Sequence, residues 1–328
     1  MCTSVSCSDQ ALFGRSLDLE SPFGEQVVIA PREYPFCFHH RLPLVRHHAL
    51  IGMAALADGV PLYAEAVNEK GLYMAGLNFP ASACYFPDDD NGRHSVAPYE
   101  LIPLVLGSCG CLAEARRLLE GLRLTAIPFA PGWPLAPLHW HLADASGALV
   151  AEPTGQGLRL YDDPVGVLTN EPPFDYQQTR LRDFMALSPR QPANTFAPGL
   201  PLAPYAQGMG ALGLPGDASS ASRYVRAAFL KTHAAFSGQR QRDVMQFFHI
   251  LDGVSMVRGT VVTPAGKLDE TRYVCCADGR TGTYYYKTYD GGRVRAVALT
   301  EAARQGAALR AFPLVWEPEI DPVAEPSA

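Results

Sequence analysis

The chain begins Met1-Cys2-Thr3-Ser4-Val5-Ser6, and Phe13-Gly14-Arg15-Ser16-Leu17-Asp18 follows shortly after it. Cys2 is small enough for the initiator methionine to be trimmed, which would leave a mature chain that begins with a cysteine. A free α-amine has a pKa of about 8, so the new terminal amine could act as a base near neutral pH. One residue would then supply both the nucleophile and its base, as in the N-terminal form of an activated nucleophile. Many proteins begin Met-Cys for no chemical reason, so the pattern needs support from the rest of the chain.

Arg15 and Asp18 place a cation and a carboxylate three residues apart, at the end of a strand that we expect to pair with the N-terminal one. Positive charge beside a cysteine favours the thiolate. A carboxylate beside an α-ammonium fixes its position and tunes its proton affinity. The alternative is a surface ion pair at a strand end, which is the commoner role for a lone Arg/Asp pair.

The composition narrows the class of protein. The 328 residues are 48% hydrophobic and 18% charged, enough apolar material for a large core. The net charge is -6 and no run of Lys or Arg forms a basic stripe, so we expect neither nucleic acid nor an anionic membrane as partner. No apolar run is long enough for a membrane span and no secretory signal is evident, so we predict a cytoplasmic protein.

Short apolar runs alternate with helical patterns along the chain. The predicted strands are Ala11–Arg15, Gln26–Ala30, Ala49–Ala54, Leu62–Val67, Leu72–Leu77, His139–Asp144, Leu149–Glu152, Leu158–Tyr161, Gly166–Thr169, Thr271–Ala277, Gly282–Thr288 and Arg293–Leu299. The predicted helices are Tyr99–Leu106, Leu112–Leu122, Asp175–Leu187, Ala221–Phe236 and Val244–Leu251. This order indicates an α+β domain in which sheets pack together with helices outside. We predict one domain over residues 1–316 and a loose tail over 317–328.

A set of colinear motifs carries a family resemblance. They are Met1-Cys2-Thr3, Gly14-Arg15-Ser16-Leu17-Asp18, Asn68-Glu69-Lys70-Gly71-Leu72, Gly76-Leu77-Asn78-Phe79-Pro80, Leu138-His139-Trp140, Gly166-Val167-Leu168-Thr169-Asn170-Glu171-Pro172, Gly213-Leu214-Pro215-Gly216-Asp217, Ser222-Arg223-Tyr224 and Phe247-Phe248-His249-Ile250-Leu251. Together they resemble the choloylglycine hydrolase family, which comprises bile salt hydrolases and penicillin V acylases. The resemblance runs from residue 1 to about residue 300.

The resemblance implies a fold and a catalytic set. The fold would be the αββα four-layer sandwich of the N-terminal-nucleophile hydrolases. Asn78 matches the family's oxyanion asparagine, and Asn170 matches a second one that would hold the Cys2 amine or the substrate carbonyl. The catalytic residues would be Cys2, Arg15, Asp18, Asn78, Asn170 and Arg223. Taken singly, each asparagine could be a strand-end turn residue and Arg223 a solvated helix residue.

The resemblance also implies an apolar acyl pocket, for which ordinary core packing is the alternative. Its residues would be Leu17, Phe23, Tyr63, Ala64, Ile127, Phe129 and Leu138. Asparagine at position 78, where similar penicillin V acylases often carry tyrosine, favours bile salts, as does the segment Gly208-Met209-Gly210. Ala126–Pro137, which would edge the pocket, departs from the gut-type pattern.

The other histidines and cysteines are candidates for metal binding or for structural roles. We expect His139 and His249 to be core histidines, because apolar residues flank both. Cys109-Gly-Cys111 and Cys275-Cys276 lack the spacing of zinc sites, and the early histidines 39, 40, 47 and 48 lack an acidic partner in sequence. We therefore predict no metal and no cofactor, and mostly buried, reduced thiols.

The predicted function is hydrolysis of the amide bond of glycine- or taurine-conjugated bile acids. A penicillin V acylase or N-acyl homoserine lactone acylase on the same fold is the nearest alternative. A non-catalytic ligand-binding protein and a scaffolding protein are alternatives of other classes. The family tends to form tetramers, so the resemblance implies a homo-oligomer.

Overall fold

The protein's structure, a computed structural model, describes residues 1–88 and 94–323. Its strands, in chain order, are β1 Cys2–Cys7, β2 Leu12–Leu19, β3 Glu25–Ala30, β4 Leu50–Ala57, β5 Val60–Asn68, β6 Tyr73–Asn78, β7 Ser95–Val96, β8 Arg123–Leu124, β9 Leu138–Asp144, β10 Gly147–Thr154, β11 Gly157–Asp162, β12 Val167–Leu168, β13 Val261–Val262, β14 Leu268–Asp278, β15 Thr283–Thr288, β16 Arg295–Ala298 and β17 Arg310–Pro313. The helices are α1 Leu101–Ser108, α2 Leu112–Glu120, α3 Phe174–Arg180, α4 Ser220–His233, α5 Arg240–Asp252 and α6 Glu301–Arg304.

The first sheet is antiparallel and carries the N-terminus near its edge. Its strand order is β12-β1-β2-β14-β15-β16, and β13 pairs with β14 off this path. The backbones of β2 and β14 approach each other closely at Gly14, where a Cβ would lie only 2.0 Å from the Cys275 carbonyl oxygen. Only glycine fits there, and it fixes the register of Arg15, the next residue in β2.

The second sheet is also antiparallel, with the order β11-β10-β9-β6-β5-β4-β3-β17. A β-bulge interrupts the pairing of β4 with β5, so that Ala54 pairs with Tyr63 and Met53 with Glu65. Ala64 is the extra residue of this bulge. Bulges turn side chains and carbonyl groups out of the regular ladder, and this one lies where β5 faces the first sheet.

Helices cover both outer faces. Helices α4 and α5 pack on the first sheet, whereas α1 and α2 pack on the second. One hydrophobic cluster joins α4 and α5 to the first sheet and to the inner face of the second, and another lies between the second sheet and α1 and α2. The order of layers is therefore helix, sheet, sheet, helix, as the αββα prediction requires. Among the described residues, no helix has the length and apolar character to cross a membrane.

Most element predictions are confirmed, with differences at their ends. The predicted helix Asp175–Leu187 ends early, since α3 stops at Arg180 and a 3-10 turn over Leu181–Phe184 follows. Strand β17 was not predicted, although it pairs with β3 at the edge of the second sheet. The predicted tail has no regular structure over residues 317–323, and its last residues, 324–328, lie outside the described part.

Candidate active site

Cys2 lies at the start of β1, opposite Leu17 of β2, and its side chain is buried at 4% exposure between the two sheets. Met1 continues the ladder by one residue. The Asp18 backbone N–H donates to the Met1 carbonyl at 2.7 Å, and the Met1 ammonium donates to the Asp18 carbonyl. That ammonium also lies 3.6 Å from Asp269 Oδ2. Polar groups of β2 and β14 thus hold the residue that precedes Cys2.

Asn170 and Arg223 converge on the main chain of Cys2. The Cys2 N–H donates to Asn170 Oδ1 at 2.8 Å, and Arg223 Nη2 donates to the same oxygen at 2.8 Å. Arg223 Nη1 donates to the Cys2 carbonyl and to Thr3 Oγ1, both at 2.5 Å. Burial lowers the pKa of the Arg223 guanidinium, while Asp18 and Cys2 nearby act to raise it. Arg223 is fully buried, so the alternative of a solvated helix residue is wrong.

The turn before α4 explains why Arg223 points at Cys2. Ser219 caps the helix by accepting from the Ser222 N–H. Asp217 accepts from the Ser219 N–H at 2.9 Å and from Ser222 Oγ at 2.6 Å, and these bonds hold its pKa below the usual range. The Gly213–Asp217 motif therefore fixes the first turn of α4, which carries Arg223 to the start of β1.

Arg15 lies under the site with its charge buried. Its Nη1 donates to the Gly76 carbonyl at 2.6 Å and, more weakly, to the Ala64 carbonyl at 3.4 Å. The same Nη1 lies 3.5 Å from Glu65 Oε2. Burial acts to lower the pKa of Arg15, but the nearby Cys2 and Glu65 outweigh it and the pKa is raised. Arg15 therefore stays a cation, and its alternative as a surface ion pair is wrong.

Asp18 is fully buried beside the start of the chain. Its Oδ1 accepts from Thr271 Oγ1 at 2.6 Å, and within the described residues its Oδ2 has no hydrogen-bond partner. Burial raises the pKa of this carboxyl, and Arg223 and the terminal ammonium act to lower it. An unsatisfied, buried acceptor close to the chain's first amine is suited to binding that amine.

Asn78 ends β6 and is exposed, unlike the other five predicted catalytic residues. Its carbonyl accepts from Asn170 Nδ2 at 2.7 Å. Asn170 therefore connects Cys2, Arg223 and Asn78. The structure brings all six predicted residues to one end of the space between the sheets, with Asn78 at its solvent edge.

The seven predicted pocket residues divide into two groups. Four of them line a mainly apolar cavity of about 210 Å³ under residues 127–136, namely Tyr63, Ile127, Phe129 and Leu138. Leu138 pairs with Asn78, so this cavity lies beside the strand end that carries Asn78. The other three, Leu17, Phe23 and Ala64, belong to or pack against the inter-sheet cluster that contains Cys2.

The histidines play different structural roles from one another. His139 is buried, with Nδ1 3.2 Å from Glu152 Oε1, and it stacks on Phe79. The expectation for His249 was wrong, because it lies on the exposed face of α5. Asp88 comes within 2.6 Å of His40 Nε2 and 3.8 Å of His39 Nε2, an acidic partner that sequence spacing did not reveal. The absence of a bound metal stays a prediction.

Sequence reasoning missed Glu65, Thr3 and Thr271. Glu65 is a fully buried carboxylate against Arg15, and the two threonines bond to Arg223 and Asp18 respectively. A signal for Glu65 was present, because it is the one charged residue in the apolar run Leu62–Val67. The threonines carry no such signal, since the pattern of a strand does not show which hydroxyl meets a distant side chain.

Comparison with known proteins identifies the family of the chain. The family model of the linear amide C–N hydrolases, choloylglycine hydrolase family, matches residues 2–306. A bile salt hydrolase/transferase of Lactiplantibacillus plantarum is 42% identical over 315 residues, covering 96% of this chain and 97% of the relative. A conjugated bile acid hydrolase of Lactobacillus acidophilus is 34% identical over 305 residues, covering 92% and 96%.

Solved structures share the fold. A mutant of conjugated bile acid hydrolase from Clostridium perfringens superimposes with a TM-score of 0.91 at 32% identity, covering 99% of this chain and 100% of that one. The penicillin V acylase from Agrobacterium tumefaciens gives a TM-score of 0.75 at 18% identity, covering 95% and 90%. At that identity the second likeness concerns the fold alone.

Proposed function

The chain belongs to the choloylglycine hydrolase family of linear amide C–N hydrolases, and on this basis we propose that it cleaves the amide bond of glycine- or taurine-conjugated bile acids with Cys2 as nucleophile. Relatives that cover nearly the whole chain bear the names bile salt hydrolase and conjugated bile acid hydrolase. The same membership makes the chain a hydrolase of linear amides.

Removal of Met1 would convert the Cys2 peptide nitrogen into a free α-amine. That nitrogen already lies 2.8 Å from Asn170 Oδ1, and the buried Asp18 carboxylate has an acceptor oxygen to spare. Both groups suit an ammonium better than a peptide N–H, because an ammonium has three donors. We infer that Asn170 and Asp18 hold the amine that Met1 leaves behind.

The reaction then follows from the two ends of Cys2. The amine takes the proton from the Cys2 thiol, and the sulfur attacks the carbonyl carbon of the amide. The tetrahedral intermediate collapses as the C–N bond breaks, and the ammonium returns its proton to the leaving nitrogen, so that glycine or taurine departs and a thioester remains. Water attacks the thioester with the amine again as base, releasing the bile acid and restoring the thiol.

Asn78 is the proposed donor to the oxyanion that forms during each attack. The Asn170 amide N–H already donates to the Asn78 carbonyl, so the Asn170 amide group is the weaker candidate for that role. The Asn78 side chain is exposed at the strand end beside the apolar cavity. In comparable sites one such donor is worth about 3 to 4 kcal/mol of transition-state stabilisation.

One observation carries the proposal: Asn170 Oδ1 accepts from both the Cys2 nitrogen and the buried Arg223 guanidinium. Arg223 also bonds the Cys2 carbonyl, so an asparagine and an arginine grip the main chain of a single residue. Strand β12 ends at Leu168, opposite Ser4, so at Cys2 these two side chains take the place of a strand partner. Such a grip suits a residue whose amine and thiol must be held in one orientation.

The test is a parallel assay on purified protein with taurocholate, glycocholate, penicillin V and a long-chain N-acyl homoserine lactone. We expect the highest kcat/KM for a conjugated bile salt and none with Cys2→Ala. If the bile salts react no faster than the other two compounds, the substrate assignment fails. If Cys2→Ala keeps the activity, the mechanism fails, and a pocket that binds bile salts without turnover would favour the non-catalytic alternative.

We further propose one amidase domain over residues 1–316, a homotetramer and a cytoplasmic location. The shared cluster between the two sheets supports a single domain.

Large apolar side chains lie exposed between residues 185 and 212, among them Met185, Phe196 and Tyr205, which suits burial in an assembly. All eight cysteines are free thiols, as expected in a reducing compartment. Light scattering coupled to size-exclusion chromatography tests the tetramer.

A further inference from the structure

We propose that Glu65 is a positioning residue for the amide-hydrolysing site: its carboxylate fixes the Arg15 guanidinium beneath Cys2 and limits the positive field that Arg15 exerts on the thiol. The inference rests on the proposed function, because it concerns the nucleophile assigned there. Glu65 does not touch Cys2 in the structure, so it acts through Arg15.

The surroundings of Glu65 indicate a carboxylate rather than a carboxylic acid. Tyr284 and Tyr273 donate their hydroxyls to Oε1, and Tyr273 lies 2.9 Å from Oε2. The Cys275 thiol donates at 3.5 Å, and the Arg15 guanidinium faces Oε2. A carboxylate accepts only, and every one of these neighbours can donate. Burial raises the pKa of Glu65, while Arg15 and the tyrosine hydroxyls act to lower it.

Arg15 needs this partner because both charges are removed from water. Glu65 is 0% exposed and Arg15 is 1% exposed. A buried guanidinium without a counter-ion is strongly unfavourable, and the three backbone carbonyls to which Arg15 donates carry no charge. The pair is therefore built to hold a cation at one place between the sheets.

The position of that cation is what matters for the chemistry. Cys2 pairs with Leu17 and Ser4 with Arg15, so Cys2 and Arg15 lie on the same face of the β1–β2 pair, and the guanidinium and Cys2 influence each other electrostatically. The other charged groups around the start of the chain are Arg223 from α4, Asp18 from β2, Asp269 from β14 and the terminal amine itself. Arg15 and Arg223 favour the thiolate of Cys2, whereas Asp18 and Asp269 oppose it. Glu65 is the carboxylate that lies 3.5 Å from Arg15 Nη1, so its charge sets how strongly the Arg15 cation acts on the thiol.

The experiment measures the rate of Cys2 alkylation by iodoacetamide against pH, with the label located by mass spectrometry of the N-terminal peptide. Glu65→Gln keeps the shape of the side chain and removes its charge. We expect the midpoint of the profile to move to lower pH by roughly one unit, because the Arg15 cation is no longer compensated. We also expect kcat to fall while KM for the bile salt stays within about twofold, and Glu65→Asp to return the midpoint most of the way.

Asp278→Asn is the matched control. Asp278 is a fully buried carboxylate at the far end of β14, paired with Arg240, and it receives the same acid-to-amide change. It should lower stability and leave the alkylation midpoint in place. An unchanged midpoint in folded Glu65→Gln, or a shift to higher pH, overturns the proposal.

Two further comparisons keep the test decisive. If Glu65→Gln does not fold, thermal unfolding of Arg15→Met and of Arg15→Met/Glu65→Gln decides, because the double variant should be the more stable if the pair is formed. A double variant no more stable than Arg15→Met contradicts the pairing. Activity that survives Cys2→Ala refutes the proposed function. If alkylation of Cys2 abolishes activity but the unsubstituted protein and Glu65→Gln have the same alkylation profile against pH, only this inference is refuted.

Discussion

Asn170→Ala removes the amide that connects Cys2, Arg223 and Asn78. The side chain makes three hydrogen bonds, from the Cys2 nitrogen at 2.8 Å, from Arg223 Nη2 at 2.8 Å and to the Asn78 carbonyl at 2.7 Å. A neutral bond contributes about 1 kcal/mol net and one from a charged donor about 1.5 to 3 kcal/mol, so the three together are worth roughly 3.5 to 5 kcal/mol. Water entering the space restores part of this, and we expect a loss of about 3 kcal/mol in the free energy of unfolding.

The effect on catalysis should be separable from that loss. Without Asn170 the Cys2 amine loses the acceptor that orients it and Arg223 loses one of its anchors, so fewer molecules hold the amine within reach of the thiol and the leaving nitrogen. Loss of such orientation costs on the order of 10²-fold in rate. The assay is kcat/KM for a conjugated bile salt, together with urea unfolding of the same preparation, at a temperature where the variant is fully folded.

Asn68→Ala is the control for stability alone. Asn68 is buried and makes four hydrogen bonds, to the Leu106 and Cys109 carbonyls and from the Lys70 and Leu72 backbone N–H groups. It should destabilise the protein at least as much as Asn170→Ala and leave kcat/KM within about twofold. If Asn170→Ala retained kcat/KM within about threefold of the unsubstituted protein, or if both variants lost it equally, the reasoning about Asn170 would be refuted.

Three other predictions follow from the same contacts. Arg223→Lys keeps the charge, but a lysine cannot form the hydrogen bonds to Cys2, Thr3 and Asn170 at the same time. We therefore expect kcat to fall by about 10-fold or more in a protein that circular dichroism shows to be folded. An unchanged kcat would contradict the role of Arg223 in holding Cys2. Burial raises the pKa of Cys7 to about 12 and of Cys109 to about 11. Peptide mapping after treatment with iodoacetamide near pH 7 should therefore find both cysteines unlabelled, while the exposed Cys37 and Cys84 react. A label on Cys7 in the folded protein would contradict its burial. Burial acts to raise the pKa of Asp278, but the hydrogen bond and the charge of Arg240 outweigh burial and hold the pKa below its usual range. The pair therefore stabilises the fold above about pH 4, and this stability is lost as the pH falls through the pKa of Asp278 in the folded protein. Asp278→Asn should therefore lower the unfolding temperature near pH 7 and flatten its fall in acid, and an equal fall in both proteins would contradict the pairing.

The elements that position the site were largely accessible from the sequence. Short apolar runs predict β5 and β6, and the turn residues before α4 indicate where that helix begins. Cys2, Arg15 and Arg223 could be selected because their types suit the chemistry and their motifs resemble one family. What the sequence alone leaves undetermined is which of them meet, since β1 and α4 are separated by about two hundred residues of chain.

The parts that were missed share a physical origin. Glu65 acts from the second sheet on a residue of the first, and its partners Tyr273 and Tyr284 come from the far end of the chain. Its neighbour Ala64 is the extra residue in the pairing of β5 with β4, which the apolar run Leu62–Val67 does not reveal. His249 was expected in the core because apolar residues flank it, yet on a helix the neighbours in sequence lie on other faces.

The central claim is that the working enzyme begins at Cys2 and uses that residue's amine and thiol together. The most direct measurement is the intact mass of the active protein before and after inactivation by iodoacetamide. The account predicts a mass lower than that of the full sequence by one methionine residue, and a single inactivating label on the N-terminal peptide that carries Cys2. A preparation that retained Met1 and hydrolysed conjugated bile salts at the full rate would contradict it.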